Sequence, residues 1–260
     1  MTTREASAPG LSIVIPAWNE EARLARTLER YVPALESRAE PFELIIVVDG
    51  ASDRTSAVAD RWSSRHVRVL EFSHRLGKGG AILAGFREAR YDRVGFTDAD
   101  GPVPLADVLR VADSLTRVDC AIASRRVNKH LMISPQSLSR RVFSRCWNLL
   151  VRGVLFLPIS DTQCGVKFVR RSAVRPILDR VSVTNWAFDV ALLYHLRSQG
   201  SSIQEVAVRW EDSSGSKLRL ENAIPRMFVS LLGIRMVNRK VGRHAARNWG
   251  QWTTNAPADD

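Results

Sequence analysis

The sequence predicts an α/β fold with a mostly parallel central sheet, and three observations support it. Short apolar runs recur as candidate strands, candidate helices separate them, and polar turns containing Asp and Gly follow the strand ends. Strand and helix alternating at this spacing form βαβ units with right-handed crossovers. Such sheets bind ligands beyond the carboxyl ends of their strands.

Residues 1–10 are small and polar and are expected to form a flexible N-terminus. Leu11 to Pro16 is the first candidate strand, and Asn19-Glu20-Glu21 opens a helix of mixed charge. Phe42 to Val48 is the second strand, followed by Asp49-Gly50-Ala51-Ser52-Asp53, with Asp53 as the N-cap of a helix running to about Ser64. Val67 to Phe72 is the third. The basic turn Arg75-Leu76-Gly77-Lys78-Gly79-Gly80-Ala81 then opens another helix. Its glycines permit close backbone approach, and a helix N-terminus beside Lys78 attracts phosphate. A plain helix-starting turn is the alternative, since the spacing is not that of a Walker loop.

The fourth strand lies in Arg93-Val94-Gly95-Phe96-Thr97-Asp98-Ala99-Asp100-Gly101. Alternation along a strand would put Asp98 and Asp100 on one side, where two anions repel unless a cation lies between them. Oxygen ligands suit Mg²⁺ or Mn²⁺, ions that usually bring a phosphate. The competing reading is a pair of solvated turn residues.

With 260 residues, 45% of them apolar, the chain can bury one sizeable core. The excess of 38 Lys+Arg over 27 Asp+Glu, a net charge of +11, points to an anionic partner: nucleic acid, a membrane surface or a phosphorylated substrate. Cys120, Cys146 and Cys164 have no metal-ligand spacing and suggest a reducing compartment. No secretory signal and no apolar run long enough to span a bilayer is evident, so membrane contact is expected to be peripheral, on the cytoplasmic face.

Four stretches occur in the order seen in family-2 inverting glycosyltransferases with the GT-A fold: Val14-Ile15-Pro16-Ala17-Trp18-Asn19-Glu20-Glu21, Val48-Asp49-Gly50-Ala51-Ser52-Asp53, Gly77-Lys78-Gly79-Gly80-Ala81 and Asp98-Ala99-Asp100-Gly101. Asp161-Thr162-Gln163-Cys164-Gly165 and Trp186-Ala187-Phe188-Asp189 resemble the dolichyl-phosphate β-glucosyltransferase branch. The resemblance spans roughly residues 11–212. It implies a UDP-sugar donor, with Pro16, Asn19, Glu21 and Asp49 lining the nucleotide pocket and Asp49 towards the uracil. It also implies that Asp98 and Asp100 hold Mg²⁺ or Mn²⁺ on the diphosphate, and residue chemistry adds Lys78, Trp186 and Asp189 to the expected nucleotide-sugar site. Two departures stand out. Val48-Asp49 replaces the paired aspartates of many relatives, and Pro102 stands where mannosyl-phosphate synthases carry a metal-ligating Gln.

After a strand from Asp119 to Ser124 come Ser124-Arg125-Arg126, Ser137-Leu138-Ser139-Arg140-Arg141 and Ser144-Arg145. Leu138, Val142, Cys146, Leu149 and Leu150 at helical spacing predict an amphipathic helix with arginines beside its apolar stripe. This suits an anionic lipid interface or, alternatively, a core-facing helix with a solvated basic side. By resemblance to polyprenyl-phosphate mannosyl synthases, Ser124, Arg125, Arg140 and Ser144 correspond to the lipid-phosphate site. Asp161 reads as an orienting residue ahead of an acid/base one, or as a turn former, and Asp189 as a sugar ligand or a helix-surface charge. Asp161, Asp100 and Arg125 form the expected catalytic set, with Trp186 stacked on the sugar or in the core.

A helix over 218–240, with Ile224, Met227, Phe228, Leu231 and Leu232 on one stripe, is expected to meet either a membrane surface or protein, in its own domain or a homo-oligomer partner. Residues 11–217 form the transferase domain and 241–260 a flexible tail. The leading expectation is transfer of glucose from UDP-glucose to polyprenyl phosphate. The alternatives are a UDP-N-acetylhexosamine donor, a soluble-sugar or diacylglycerol acceptor, or a basic nucleic-acid-binding module. The last is opposed by dispersed basic residues and the absence of a recognised nucleic-acid motif.

Overall fold

A computed structural model of the chain describes residues 8–128, 131, 138–181, 187–211 and 230–235, with only the backbone course given for 138–143. In chain order the elements are β1 (Ala8–Ala17), α1 (Glu21–Glu36), β2 (Phe42–Asp49), α2 (Thr55–Asp60), β3 (Val67–Phe72), α3 (Gly77–Glu88), β4 (Tyr91–Phe96), α4 (Leu105–Asp113), β5 (Cys120–Ser124), α5 (Leu138–Leu155), β6 (Lys167–Arg170), α6 (Arg171–Val174), α7 (Phe188–Ser198) and β7 (Ile203–Ala207). The strands form one seven-stranded sheet in the order β3-β2-β1-β4-β6-β5-β7. Only β6 runs against its neighbours, pairing antiparallel with both β4 and β5.

Side-chain alternation along the central strands creates two cores. Val14, Ile45 and Val47 face one side and pack with residues of α3, α5 and α7. Leu11, Ile13, Ile15, Leu44, Ile46 and Val48 face the other and pack with α1 and α4. All eight residues of β2 are buried, as expected for a strand covered on both faces. Helix α7 is buried all round from Phe188 to Leu196, so it lacks an amphipathic stripe and its bounds are not readable from periodicity.

The structure alters several sequence-based boundaries. Strand β1 starts at Ala8, which pairs with Tyr91, while the Gly10 N–H donates to Asp92 Oδ1 at 3.0 Å, so residues 8–10 belong to the sheet. Residues 1–7 and 241–260, and most of the expected C-terminal helix, lie outside the described residues; 230–235 are helical. Helix α2 ends at Asp60 and starts at Thr55, whose N–H donates to Asp53 Oδ1 at 2.9 Å. In α5 the core takes Trp147, Val151 and Leu155, whereas Leu149 is 74% exposed and Cys146 is exposed. The expected apolar stripe therefore points outward at those two positions, since the bulkier Trp147 face fills the interior.

Asp98 and Asp100 do not lie within the fourth strand. The pairing of β4 with β1 ends at Val14↔Phe96, the Thr97 N–H makes the last bond to the Val14 carbonyl, and a turn closes from the Gly101 N–H to the Asp98 carbonyl at 3.1 Å. The acidic pair thus occupies a turn at the carboxyl end of β4. Among the described residues no helix is long and apolar enough to cross a membrane.

Candidate active site

The carboxyl ends of β1 and β2 are joined by side chains from their following loops. Asn19, held at φ 52°, accepts from the Ser52 N–H at 2.8 Å through Oδ1 and donates to Ser52 Oγ at 3.1 Å. Glu21 Oε2 accepts from the Arg54 N–H at 3.0 Å. Asn19 and Glu21 therefore stitch the two loops together beside Pro16, the half-buried residue near the end of β1. Asp49, at the end of β2, accepts from the Leu76 and Gly77 N–H groups and from Arg75 Nε at 3.2 Å. Its carboxylate anchors the start of α3, satisfying donors that a helix N-terminus would otherwise leave open. Arg75 in turn lies over Trp18, with Cζ 3.7 Å from the ring centroid.

The glycine-rich turn has a packing role as well. A side chain at Gly79 would put a Cβ 2.6 Å from Phe188, so its absence lets α3 and α7 come together. That contact brings Lys78 beside two carboxylates. Lys78 Nζ is 2.8 Å from Asp98 Oδ1 and 3.9 Å from Asp189 Oδ2. Asp189 is buried, not a surface charge, and its Oδ1 accepts from the buried Lys167 Nζ at 2.6 Å. Lys167 also donates to the Cys164 carbonyl at 2.7 Å. Burial would lower the Lys78 pKa, but Asp98 and then Asp189 override it and hold the ammonium above its usual value. The Asp98 carboxyl is pushed up by burial, with Lys78 opposing and Asp100 adding to the rise.

Asp98 and Asp100 offer oxygen donors at one turn, and the unfavourable charge of Asp100 on the half-buried Asp98 is the condition a divalent ion would relieve. Two carboxylates completed by substrate phosphates fit the habit of Mg²⁺ or Mn²⁺. The segment 161–165 presses against this turn: a Cβ on Gly165 would come within 1.7 Å of Asp98 Oδ2.

Beyond the carboxyl end of β5, Asp161 is fully buried and accepts from the Arg125 N–H at 3.0 Å, Nε at 2.7 Å and Nη2 at 2.8 Å. Burial alone would raise its pKa, but Arg125 overrides that and holds Asp161 at about 2. A carboxylate so engaged orients its neighbours and is a poor proton acceptor. The next residue, Arg126, donates from Nη2 to Ser144 Oγ at 2.8 Å on α5. Burial first, and then Arg125 and Arg145, lower the Arg126 pKa, with Asp161 opposing. Ser124 is buried at the end of β5, with Oγ 3.4 Å from the Arg126 N–H. Arg140 lies on α5. Trp186 lies outside the described residues.

Sequence reasoning missed three contributors. Arg126, rather than Arg125, faces Ser144. Glu205 on β7 accepts from the Ser160 N–H at 2.8 Å and the Asp161 N–H at 3.0 Å. Asn148 on α5 accepts from Thr162 Oγ1 at 3.0 Å. Of the three, only Asn148, an Asn on a largely apolar helix, carries a sequence signal that could have pointed to its contact.

The open, mostly parallel sheet carries an acidic turn and a basic cluster beyond its strand ends, the edge where such sheets place their ligand sites. The comparisons give the family. The chain belongs to glycosyl transferase family 2, whose profile matches residues 12–178. It is 36% identical over 224 residues to a dolichyl-phosphate beta-glucosyltransferase of Drosophila melanogaster, covering 80% of this chain and 69% of that protein. The Homo sapiens protein of the same name is 34% identical over the same shares. Among solved structures, glucosyl-3-phosphoglycerate synthase from Mycobacterium tuberculosis in complex with Mn²⁺, UDP and phosphoglyceric acid superposes with a TM-score of 0.63 at 18% identity, covering 90% of this chain and 79% of that one. The chain is therefore a glycosyltransferase of GT-A fold.

Proposed function

We propose that the protein transfers glucose from UDP-glucose to the phosphate of a dolichyl-type polyprenyl phosphate, with inversion at the anomeric carbon. The observation that supports this reading is that an acidic turn and a basic residue follow the ends of successive strands: Asp98–Asp100 after β4, and Arg126, bonded to Ser144, after β5. Relatives named dolichyl-phosphate beta-glucosyltransferases at 34–36% identity support the same acceptor and sugar.

Asp98 and Asp100 would hold Mg²⁺ or Mn²⁺, whose chemistry is neutralisation of the diphosphate leaving group. Arg126 and Ser144 would bind the acceptor phosphate, with Arg140 on the same helix and Ser124 at the strand end beside them. Arginine suits this task because its planar fork binds phosphate oxygens in pairs. Arg125, fixed by Asp161, would set the position of the loop that presents Arg126. An acceptor phosphate monoester, with a second pKa near about 6, is already largely ionised at neutral pH. Its oxygen attacks the anomeric carbon as the bond to UDP breaks, and UDP leaves with the electron pair. Proton removal from the nucleophile is then unnecessary, and positioning supplies most of the rate. We further propose that Asn19, Glu21, Asp49 and Pro16 shape the nucleotide end, and that the protein works peripherally on the cytoplasmic side of a membrane.

The test offers radiolabelled UDP-glucose, UDP-N-acetylglucosamine and GDP-mannose to the folded protein with short polyprenyl phosphate and Mg²⁺ or Mn²⁺. Label from UDP-glucose is expected in the organic phase. Transfer only to a water-soluble acceptor, or only from another donor, would overturn the proposal.

A further inference from the structure

The position of Lys78 creates a competition at the acidic turn. Asp98 Oδ2 lies against Gly165, where even a Cβ would come within 1.7 Å, so Oδ1 is the oxygen left for another cation. Lys78 Nζ already lies on that oxygen at 2.8 Å. A second anionic atom lies close by. Asp189 Oδ2 is buried, has no hydrogen-bond partner among the described residues, and is 3.9 Å from the same ammonium. Its sister oxygen is fully engaged by Lys167 at 2.6 Å.

We propose that Lys78 is a placeholder cation that neutralises Asp98 in the metal-free protein and crosses to Asp189 Oδ2 when a divalent ion binds at the acidic turn. This rests on the divalent-ion reading given above. A dication and an ammonium sharing one carboxylate oxygen would repel strongly in a partly buried site. The crossing requires movement of roughly one ångström to reach ordinary hydrogen-bond distance. The flexible four-carbon stem of lysine accommodates such a shift without backbone motion. Asp189 is ready to receive it, because Lys167 fixes the carboxylate in place and leaves only one oxygen unfilled. The exchange removes a desolvated charge conflict and satisfies the orphaned acceptor at the same time.

The experiment is Mn²⁺ titration of the full chain in the presence of UDP, by calorimetry, for the wild type, Lys78→Gln, Asp189→Asn and the double variant, with folding checked by circular dichroism. Lys78→Gln is expected to tighten Mn²⁺ binding by roughly tenfold, and Asp189→Asn to weaken it by a similar factor. In the double variant the Asp189→Asn effect should shrink, because the ammonium that needed a receiving oxygen is gone. Unchanged or weaker Mn²⁺ binding by Lys78→Gln, or strict additivity of the two substitutions, would overturn the exchange. No Mn²⁺ binding by the wild type with UDP present would overturn the divalent-ion reading and the exchange with it. A crystal structure of the wild type with Mn²⁺ and UDP provides a check that needs no variant. Lys78 Nζ should lie within hydrogen-bond distance of Asp189 Oδ2, and its retention on Asp98 beside bound Mn²⁺ would refute the proposal.

Discussion

Asp161 is the residue whose chemistry the fold changes most. Its pKa of about 2 lies below the ordinary 3.8 because three Arg125 donors outweigh the cost of burial. A depressed carboxyl pKa stabilises the protein above the unfolded value, and that stabilisation fades as pH falls from about 4 towards about 2. Asp161→Asn is therefore expected to lose about 3–5 kcal/mol at pH 7 by stranding a buried guanidinium. The difference from wild type should narrow at pH 3, as measured by urea unfolding at both pH values. A second prediction concerns Arg126. Charge-assisted bonds to a phosphate are worth about 1.5–3 kcal/mol. Arg126→Gln is thus expected to raise the KM for polyprenyl phosphate by roughly 10- to 100-fold, with little change in the KM for UDP-glucose. An equal rise in both would remove Arg126 from the acceptor site.

Among the elements, β7 has a positioning role that its sequence does not advertise. Glu205 uses both carboxylate oxygens to hold the Ser160 and Asp161 N–H groups, so an outer strand sets where the Asp161–Arg125 pair sits. Glu205→Gln keeps the shape but offers only one good acceptor. It is expected to lower kcat by about tenfold through misplacement of the acceptor, leaving UDP binding by calorimetry unchanged. Weakened UDP binding would mean a general loss of structure instead. The four motif-bearing loops were legible because each follows an apolar strand run and carries its chemistry within a few residues, as Asp98-Ala99-Asp100-Gly101 does. Glu205, Lys167 and Arg126 were not, because their partners are 44, 22 and 18 residues away in the chain. Such pairings become visible only once the chain is folded, as when β6 brings Lys167 to Asp189 on α7. The orientation of α5 was also hidden, since its sequence carries apolar residues on more than one side and only the core decides which side is buried.

For the whole molecule, the question is how a chain without a spanning helix among its described residues would meet the proposed acceptor with its long apolar tail. The net charge of +11 favours an anionic surface through long-range attraction, which salt weakens. The outward side of α5 would supply a short-range component of the proposed membrane contact. Arg145, Cys146, Leu149 and Arg152 are exposed at successive i, i+3 and i+4 positions, and the 48%-exposed Phe156 follows the helix end. Leu149 is 74% exposed, so none of the described residues covers it. Insertion of that side chain into a headgroup layer would contribute about 1.5–3 kcal/mol, comparable to two or three basic residues near the surface at about 1 kcal/mol each. Flotation with phosphatidylglycerol-containing vesicles is therefore expected to recover the protein at low salt and to lose most of it at high salt. Leu149→Glu should reduce recovery at low salt by roughly tenfold or more, since it removes the apolar contact and adds a like charge to the membrane. Transfer to a short, water-dispersed polyprenyl phosphate should remain close to wild type, because Leu149 lies outside the Arg126–Ser144 cluster. If Leu149→Glu floats as well as wild type, attraction by the basic surface suffices and α5 does not enter the lipid.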